Sequence, residues 1–340
     1  NAVGWFTMRL GSIDRRLLSV DNLFEFYRTP DGSAPVFMGV GLLRSWEYAE
    51  DDTGAVTVAL NGPDQVDLLN RRIVAYTDPQ SMWEKGPDYA DDLMKDVVSE
   101  NMGPTSTDPW YSRGRAYPAT HFSIAPKEHR GRSDTQLTFQ FRELLAVLQD
   151  MANYSTWPTY AFDGLPVWFD LDYIGPAKFM FRTWVPIRGI DRTLGTNVAP
   201  LVFSRQAGNL SQPVLRFDYT DEKNIVYGLG PGTGENRMVD PENDVPRENL
   251  SIWNLHEGVC PATEESTLLG VAKRAYQKMQ EMRPRVVFTG QLIDTPQTRF
   301  GIDWGYGDIV TIRFQEMEFD GRVDGYSYAM DAEGREPSRR

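Results

Sequence analysis

Between Ile187 and Leu229 the chain reads Ile187-Arg-Gly-Ile-Asp-Arg-Thr193, Leu201-Val-Phe-Ser204, Gly208-Asn-Leu210, Val214-Leu-Arg-Phe-Asp-Tyr219 and Asn224-Ile-Val-Tyr-Gly-Leu229. The runs Leu201 to Ser204, Val214 to Tyr219 and Ile225 to Leu229 are β-branched or aromatic and of strand length. Gly208-Asn209, Asp221-Glu-Lys223 and a Gly/Pro tract separate or follow them, and these are turn formers. Strands divided by short turns predict a β-meander, and with it a β-rich chain.

Working outward, residues 1–78 read the same way. Trp5 to Leu10, Leu23 to Arg28, Val36 to Leu43, Trp46 to Tyr48 and Ala55 to Leu60 are strand-like, and Thr29-Pro-Asp-Gly-Ser33 is a turn in which Pro presets φ and Gly accepts a positive one. Several short strands at this spacing suggest a sandwich or barrel. On the other side, Pro166 to Tyr173 and Lys178 to Val185 form a strand pair joined by Ile174-Gly-Pro176. Val286 to Gly290, Asp308 to Phe314 and Tyr326 to Met330 are further strands, with Phe319-Asp-Gly-Arg-Val323 as a hairpin turn.

Three helices interrupt this pattern. Tyr89 to Met102 carries Met94, Val98 and Met102 as one apolar stripe, with Asp88 as a cap and Asp91 and Asp92 where the helix dipole favours anions. Phe139 to Ala152 buries Phe141, Leu144, Leu145, Leu148 and Met151 and leaves Gln149 and Asp150 off the stripe. A third helix, residues 264–281, sets Leu268, Leu269, Ala272, Ala275, Tyr276 and Met279 against Lys273, Arg274 and Lys278 on the opposite face, and Pro284 stops it. Residues 103–132 read as a loop with a short strand at Thr120 to Ile124. Residues 228–249, mostly Gly, Pro, Asn, Asp and Glu, read as an exposed excursion.

Composition narrows the function classes. With 340 residues there is room for two or three modules, and 41% hydrophobic with 24% charged residues describes an ordinary globular protein. No apolar run reaches the roughly 18–20 residues of a membrane span. The start, Asn1 to Phe6, has neither the basic segment nor the long apolar stretch of a signal peptide, so no cleaved leader is expected. One cysteine, Cys260, excludes a disulfide framework and multi-cysteine zinc. The formal charge of −13 and the absence of long basic runs argue against nucleic-acid binding.

Candidate chemistry is sparse, and each candidate has a plain structural explanation. Gly228-Leu-Gly-Pro-Gly-Thr-Gly234 lacks the following helix and lysine of a phosphate cradle, so it reads as a loop. Asp170 and Asp172, one residue apart on a strand and with Asp163 nearby, share a face and could form a paired-carboxylate hydrolase site, or simply a solvated face. His121, His129 and His256 lack the spacing of a zinc site, and a Cys260 nucleophile with His256 as base is opposed by Pro261. Among the aromatics, Trp5, Trp46, Trp168 and Trp184 are expected in the core, while Trp83, Trp110 and Trp157 are candidates for an interface or a sugar-stacking surface. No catalytic, cofactor or metal residue is assigned.

The order Gly189-Ile-Asp-Arg-Thr193, Val202-Phe-Ser204, Gly208-Asn-Leu210 and Asn224-Ile-Val-Tyr-Gly228 resembles the tail hub, or tail-tip baseplate hub, proteins of siphophages, the ReqiPepy6 Gp37-like group. Leu69-Asn-Arg-Arg-Ile-Val74, Val97-Val-Ser-Glu-Asn-Met-Gly103, Tyr306-Gly-Asp-Ile-Val-Thr311 and Gly325-Tyr-Ser-Tyr328 extend the resemblance over most of the chain. It implies a β-rich α+β fold with two tube-forming β-barrel or sandwich domains and an inserted helical α/β module. On that plan residues 1–78 begin the first barrel and 79–165 are the insertion. Residues 166–285 make the second β domain with its loop 228–249 and helix 264–281, and 286–340 complete a barrel and end in a mobile tail.

The implied function is that of a structural virion protein without enzyme activity or cofactor. It would be a homotrimer with a pseudo-sixfold ring closing the distal tail tube, assembled in the host cytoplasm. Its partners would be the distal tail ring or tube above, the tape measure protein, and tail fibre or receptor-binding proteins below, with DNA only in transit through a channel poor in Lys and Arg. Compared with larger hubs of that kind, the short C-terminal end would place lytic or adhesive activity on another chain. The alternatives are a carbohydrate-binding tail adhesin or a carboxylate-dependent cell-wall hydrolase.

Overall fold

The computed structural model describes residues 2–29, 34–75, 83–106, 114–133, 135–139, 141–157 and 164–329. The turn residues Pro30 to Ser33, Trp110, Asp163 and the tail beyond Ala329 lie outside the described residues. The first half of the chain holds β1 (Trp5–Leu10), β2 (Leu23–Arg28), β3 (Val36–Leu42), β4 (Ser45–Glu50), β5 (Val56–Pro63), α1 (Asp67–Asn70), β6 (Trp83–Asp88), α2 (Ala90–Met102), β7 (Phe122–Ile124), β8 (Thr135–Phe139), α3 (Leu144–Ser155), β9 (Trp168–Gly175) and β10 (Lys178–Trp184). The second holds β11 (Asp191–Arg192), β12 (Val202–Ser204), β13 (Leu210–Asp218), β14 (Ile225–Leu229), β15 (Val239–Asn243), α4 (Val245–Glu248), β16 (Glu257–Pro261), α5 (Leu268–Glu281), β17 (Arg285–Leu292), β18 (Ile309–Phe314) and β19 (Met317–Arg322). The chain is β-rich α+β.

It divides into two compact units, one of Asn1–Thr29, Phe37–Pro186 and Phe217–Arg285, the other of Pro30–Val36, Ile187–Arg216 and Val286–Arg340. In the first unit β1, β5 and β4 form an antiparallel sheet in the order β1-β5-β4. Alternation turns Phe6, Met8, Leu10, Trp46, Val58 and Leu60 to one face, where they pack with Leu43. The larger core lies under α2 and α3, whose Met94, Val98, Met102, Leu144, Leu148 and Met151 are fully buried with Phe169, Leu171 and Phe181 from the sheet β7-β10-β9.

Helix boundaries depart from the sequence pattern for local reasons. Tyr89, not Asp88, is the N-cap of α2, and Asp88 instead accepts from the Tyr89 N–H at 2.8 Å. Phe139 is not helical: it pairs with Trp83 across β6 and β8, and Phe141 turns the chain with φ +40°, so α3 starts only at Leu144. Asp150 of α3 is buried rather than solvated, and Arg142 and Arg274 pair with its carboxylate. Helix α5 starts at Leu268, capped by the Thr267 side chain on the Gly270 N–H. Leu268 and Leu269 are therefore exposed, while Lys273 is buried with its Nζ 4.6 Å from the Tyr154 ring centroid.

The meander expected between Ile187 and Leu229 does not form. Its strands go to three sheets: β12 runs parallel to β18, β13 pairs with β17, and β14 lies between β15 and β16. Nor is 228–249 a plain excursion, because β15 returns antiparallel along β14 and α4 follows it. In the second unit Leu201, Phe203, Trp304, Val310 and Ile312 make a small core. There the hairpin turns at Gln315, φ +56°, rather than at Asp320-Gly321, which sit inside β19 opposite Thr311 and Val310. Tyr326 to Ala329 form no strand, and the Tyr326 ring packs on Phe300 at 4.5 Å between centroids.

Candidate interaction surface

The residues singled out for chemistry are spread through the fold and occupied by structural partners. Asp170 is buried and its Oδ1 accepts from the Leu171 N–H at 2.7 Å, while Asp172 pairs with Arg182 at 3.4 Å. The carboxylate whose charge acts on a neighbour's titration is Asp170 on Asp64, which burial pushes up to about 6 with smaller contributions from Asp170 and Asp67. Both Asp64 oxygens are taken, by the Gly4 N–H at 2.8 Å and the Val66 N–H at 3.0 Å, so this group fastens β1 to the start of α1.

The histidines do not converge. His121 Nδ1 is 2.9 Å from the Ala177 carbonyl, His129 Nδ1 is 2.6 Å from Asp92 Oδ2, and the His256 N–H donates to Asn224. Among the described residues no three His, Cys, Asp or Glu side chains gather to hold a metal. Cys260 sits half-buried on β16, and burial pushes its thiol up, the direction opposite to that of an activated nucleophile. The glycines of 228–234 serve packing: a Cβ on Gly228 would stand 2.7 Å from the Val271 carbonyl oxygen, and one on Gly230 2.6 Å from Val271 Cγ2, so only glycine lets α5 lie on β14.

Two tryptophan assignments are reversed. Trp5, expected in the core, is 67% exposed, because it occupies an outward position of β1. Trp157, expected at an interface, is enclosed between Tyr154 and Tyr276, with ring centroids at 5.7 and 5.6 Å. Trp46 packs on the β1-β5-β4 core, and the Trp168 indole donates to the Pro186 carbonyl at 2.8 Å.

What the fold does expose is a surface absent from those expectations. Ile252 is 88% and Trp253 83% exposed, and Leu250 and Leu255 beside them are mostly so. They occupy the connection from α4 to β16, and its base is rigid. Asn224, fully buried, donates from Nδ2 to the Asn254 carbonyl at 2.6 Å and accepts from the His256 N–H at 2.9 Å. Its own carbonyl accepts from the Asp244 N–H at 2.9 Å, and Asn254 reaches back to the Arg247 carbonyl at 2.8 Å. Asp244 caps α4 and holds Arg247 Nε at 2.7 Å, with the buried Glu222 3.6 Å from the same guanidinium.

The loop continues an open sheet face. In β15-β14-β16, Val226 and Gly228 face α5, and alternation turns Ile225, Tyr227 and Leu229 the other way. Register places Pro241 and Val259 beside Tyr227, and Val239 and Pro261 beside Leu229. Val239 and Val259 are exposed on this side. Both edges are blunted by proline, Pro241 on β15 and Pro261 on β16, which disfavours strand addition and leaves the face and loop as the contact.

On the covered side, burial and then the neighbouring Asp240 push Glu242 up to about 7. Between its unfolded value and about 7 the folded state binds the extra proton, so stability falls as pH rises through that window. Glu242→Gln is expected to stabilise the chain at pH 8 by on the order of 1 kcal/mol, the shift being discounted for partial exposure, and to change little at pH 4. Urea unfolding at the two pH values checks it; equal effects at both would refute the assignment.

The second unit carries its own exposed surface. Strands β13 and β17 form a two-stranded ribbon; Phe288 of β17 packs on one side with Phe314 and Phe319, and Val287, on the other side, is exposed.

A profile of the siphovirus ReqiPepy6 Gp37-like proteins matches residues 30–338. The chain belongs to that family. Among solved structures, this Gp37-like protein is similar to the tail protein from Neisseria meningitidis MC58, with 15% identity over 94% of this chain and 84% of that one, TM-score 0.44. It is also similar to the E. coli c3393 protein, a component of the type VI secretion system with structural similarity to T4 bacteriophage tail proteins gp27 and gp5, with 9% identity over 62% and 47%, TM-score 0.34. For a Francisella PdpA-VgrG complex the values are 11% over 78% and 38%, TM-score 0.33, so the chain spans under half of these two. No curated protein matches it. The family match over residues 30–338, and not these likenesses, assigns the chain to a siphovirus protein family. No helix among its described residues is long and apolar enough to cross a membrane.

Proposed function

We propose that this Gp37-like protein is the hub that closes the distal end of the tail tube, as a homotrimer in which two barrel-like domains per subunit form a pseudo-sixfold ring. The observation that carries this reading is the family match over residues 30–338. Assembly in the host cytoplasm places it between the distal tail ring or tube with the tape measure protein above and fibre or receptor-binding proteins below, and DNA passes through its channel at ejection. The exposed apolar loop Leu250 to Leu255 supports it, since a chain acting alone has no use for such a surface. On this reading the protein does structural work.

Light scattering of the purified chain over a range of concentrations tests this reading. A stable particle of three times 38.7 kDa is the expected result. A monomer that stays monomeric when mixed with isolated tail tubes would overturn it.

A further inference from the structure

We propose that the loop Leu250 to Leu255 of one copy docks on the β13–β17 ribbon of the next, a head-to-tail contact; this rests on the reading of the chain as a self-assembling hub. The loop offers Ile252 and Trp253, the two most exposed large apolar side chains of the described chain, on a base fixed by Asn224. Anchors of this kind, aromatic and held rigid before contact, carry most of the binding energy in protein interfaces. The ribbon, whose two strands pair only with each other among the described residues, offers Val287 with Arg285 on the same side of β17, opposite the side on which Phe288 packs with Phe314 and Phe319. Each surface is small for a stable interface, which takes about 800 Å² per partner, so flanking contacts must share the burial.

Charge selects between a symmetric and a head-to-tail arrangement. Glu248 and Glu257 frame the loop, and its one cation, Arg247, is already held by Asp244 and Glu222. A two-fold contact of loop on loop would set these carboxylates against their own copies. Arg285 opens β17 and Arg283 precedes it, both exposed, so the start of β17 beside Val287 brings the opposite sign. A contact between two different patches of one chain is heterologous, and a heterologous contact closes into a ring when its rotation allows.

The test uses the full chain and two variants, each damaged on one surface, Trp253→Asp and Val287→Asp. Wild type is expected to associate, and each variant alone to associate roughly 30-fold or more weakly, the loss typical of an interface anchor. Mixed one to one, the two variants form a dimer and nothing larger, because one intact loop and one intact ribbon remain. Since both side chains are exposed, thermal unfolding should match wild type, and the swap Glu257→Arg with Arg285→Glu should restore association that either change alone weakens. Mixed variants that remain monomeric overturn the pairing, as does a wild-type chain monomeric at every concentration. The latter still leaves a hub that trimerises only on the tube. Loss of binding to isolated tail tubes by Trp253→Asp, with self-association intact, would assign the loop to another tail protein instead.

Discussion

Replacing Lys95 with methionine is expected to destabilise the first unit by about 3–5 kcal/mol, the cost of leaving a buried charge without its partner. Lys95 is 2% exposed on α2, and its Nζ donates to Asp91 Oδ2 at 3.0 Å and to the Pro126 carbonyl at 2.8 Å. Asp91 is equally buried and also accepts from the Arg130 N–H at 2.7 Å. Methionine fills the space but donates nothing, so one Asp91 oxygen and the Pro126 carbonyl stay desolvated and unpaired. The double change Lys95→Met, Asp91→Leu removes both charges and should lie closer to wild type than Lys95→Met alone, short of full recovery because the Arg130 N–H loses its acceptor. Urea unfolding of the three variants decides it. A single variant within 1 kcal/mol of wild type would mean that water reaches the pair.

Asn224→Ala is expected to cost about 2–4 kcal/mol and to release the loop that it anchors, since both the Asn254 carbonyl and the His256 N–H lose their partners in a buried setting. The backbone bonds of Asn224 to Asp244 and His256 remain, so β14 keeps its place in the sheet. The effect therefore concentrates on one segment: hydrogen exchange should rise at residues 251–256 well before it rises in β14. With the loop no longer preorganised, self-association should weaken as well. Unchanged exchange at 251–256 would show that the Asn254 side chain on the Arg247 carbonyl holds the loop unaided.

Much of the strand content was legible because it depends on neighbours in sequence. Phe6, Met8 and Leu10 alternate with Trp5, Thr7 and Arg9, and that period by itself determines two faces. The stripe Met94, Val98, Met102 was equally plain. Phe139 misled because an apolar residue just ahead of a helical stripe fits the stripe by chance, and only Trp83 opposite makes it a strand residue. In α5 the charged residues looked solvent-facing, whereas α3 and the ring of Tyr154 cover Lys273 on a second side. The resemblance of ordered short motifs pointed to the family that the profile over residues 30–338 then showed.

The candidate surface was not legible. Leu250, Ile252, Trp253 and Leu255 form a short apolar run like those of buried strands, and hydropathy says nothing about which side of a fold receives it. A signal was present nonetheless: Pro246, Asn249 and His256 bracket a run with neither strand nor helix period. By itself the sequence determined the β-rich class, the stripe of α2 and the breaks at Gly208-Asn209 and Asp221-Glu-Lys223, since these follow from contacts within a few residues. The tertiary structure alone decided that β12, β13 and β14 join three different sheets, that proline blunts both edges of β15-β14-β16, and that an apolar loop is held outward on Asn224. Strand pairing and exposure are settled between residues far apart in the chain, where local propensity has no purchase.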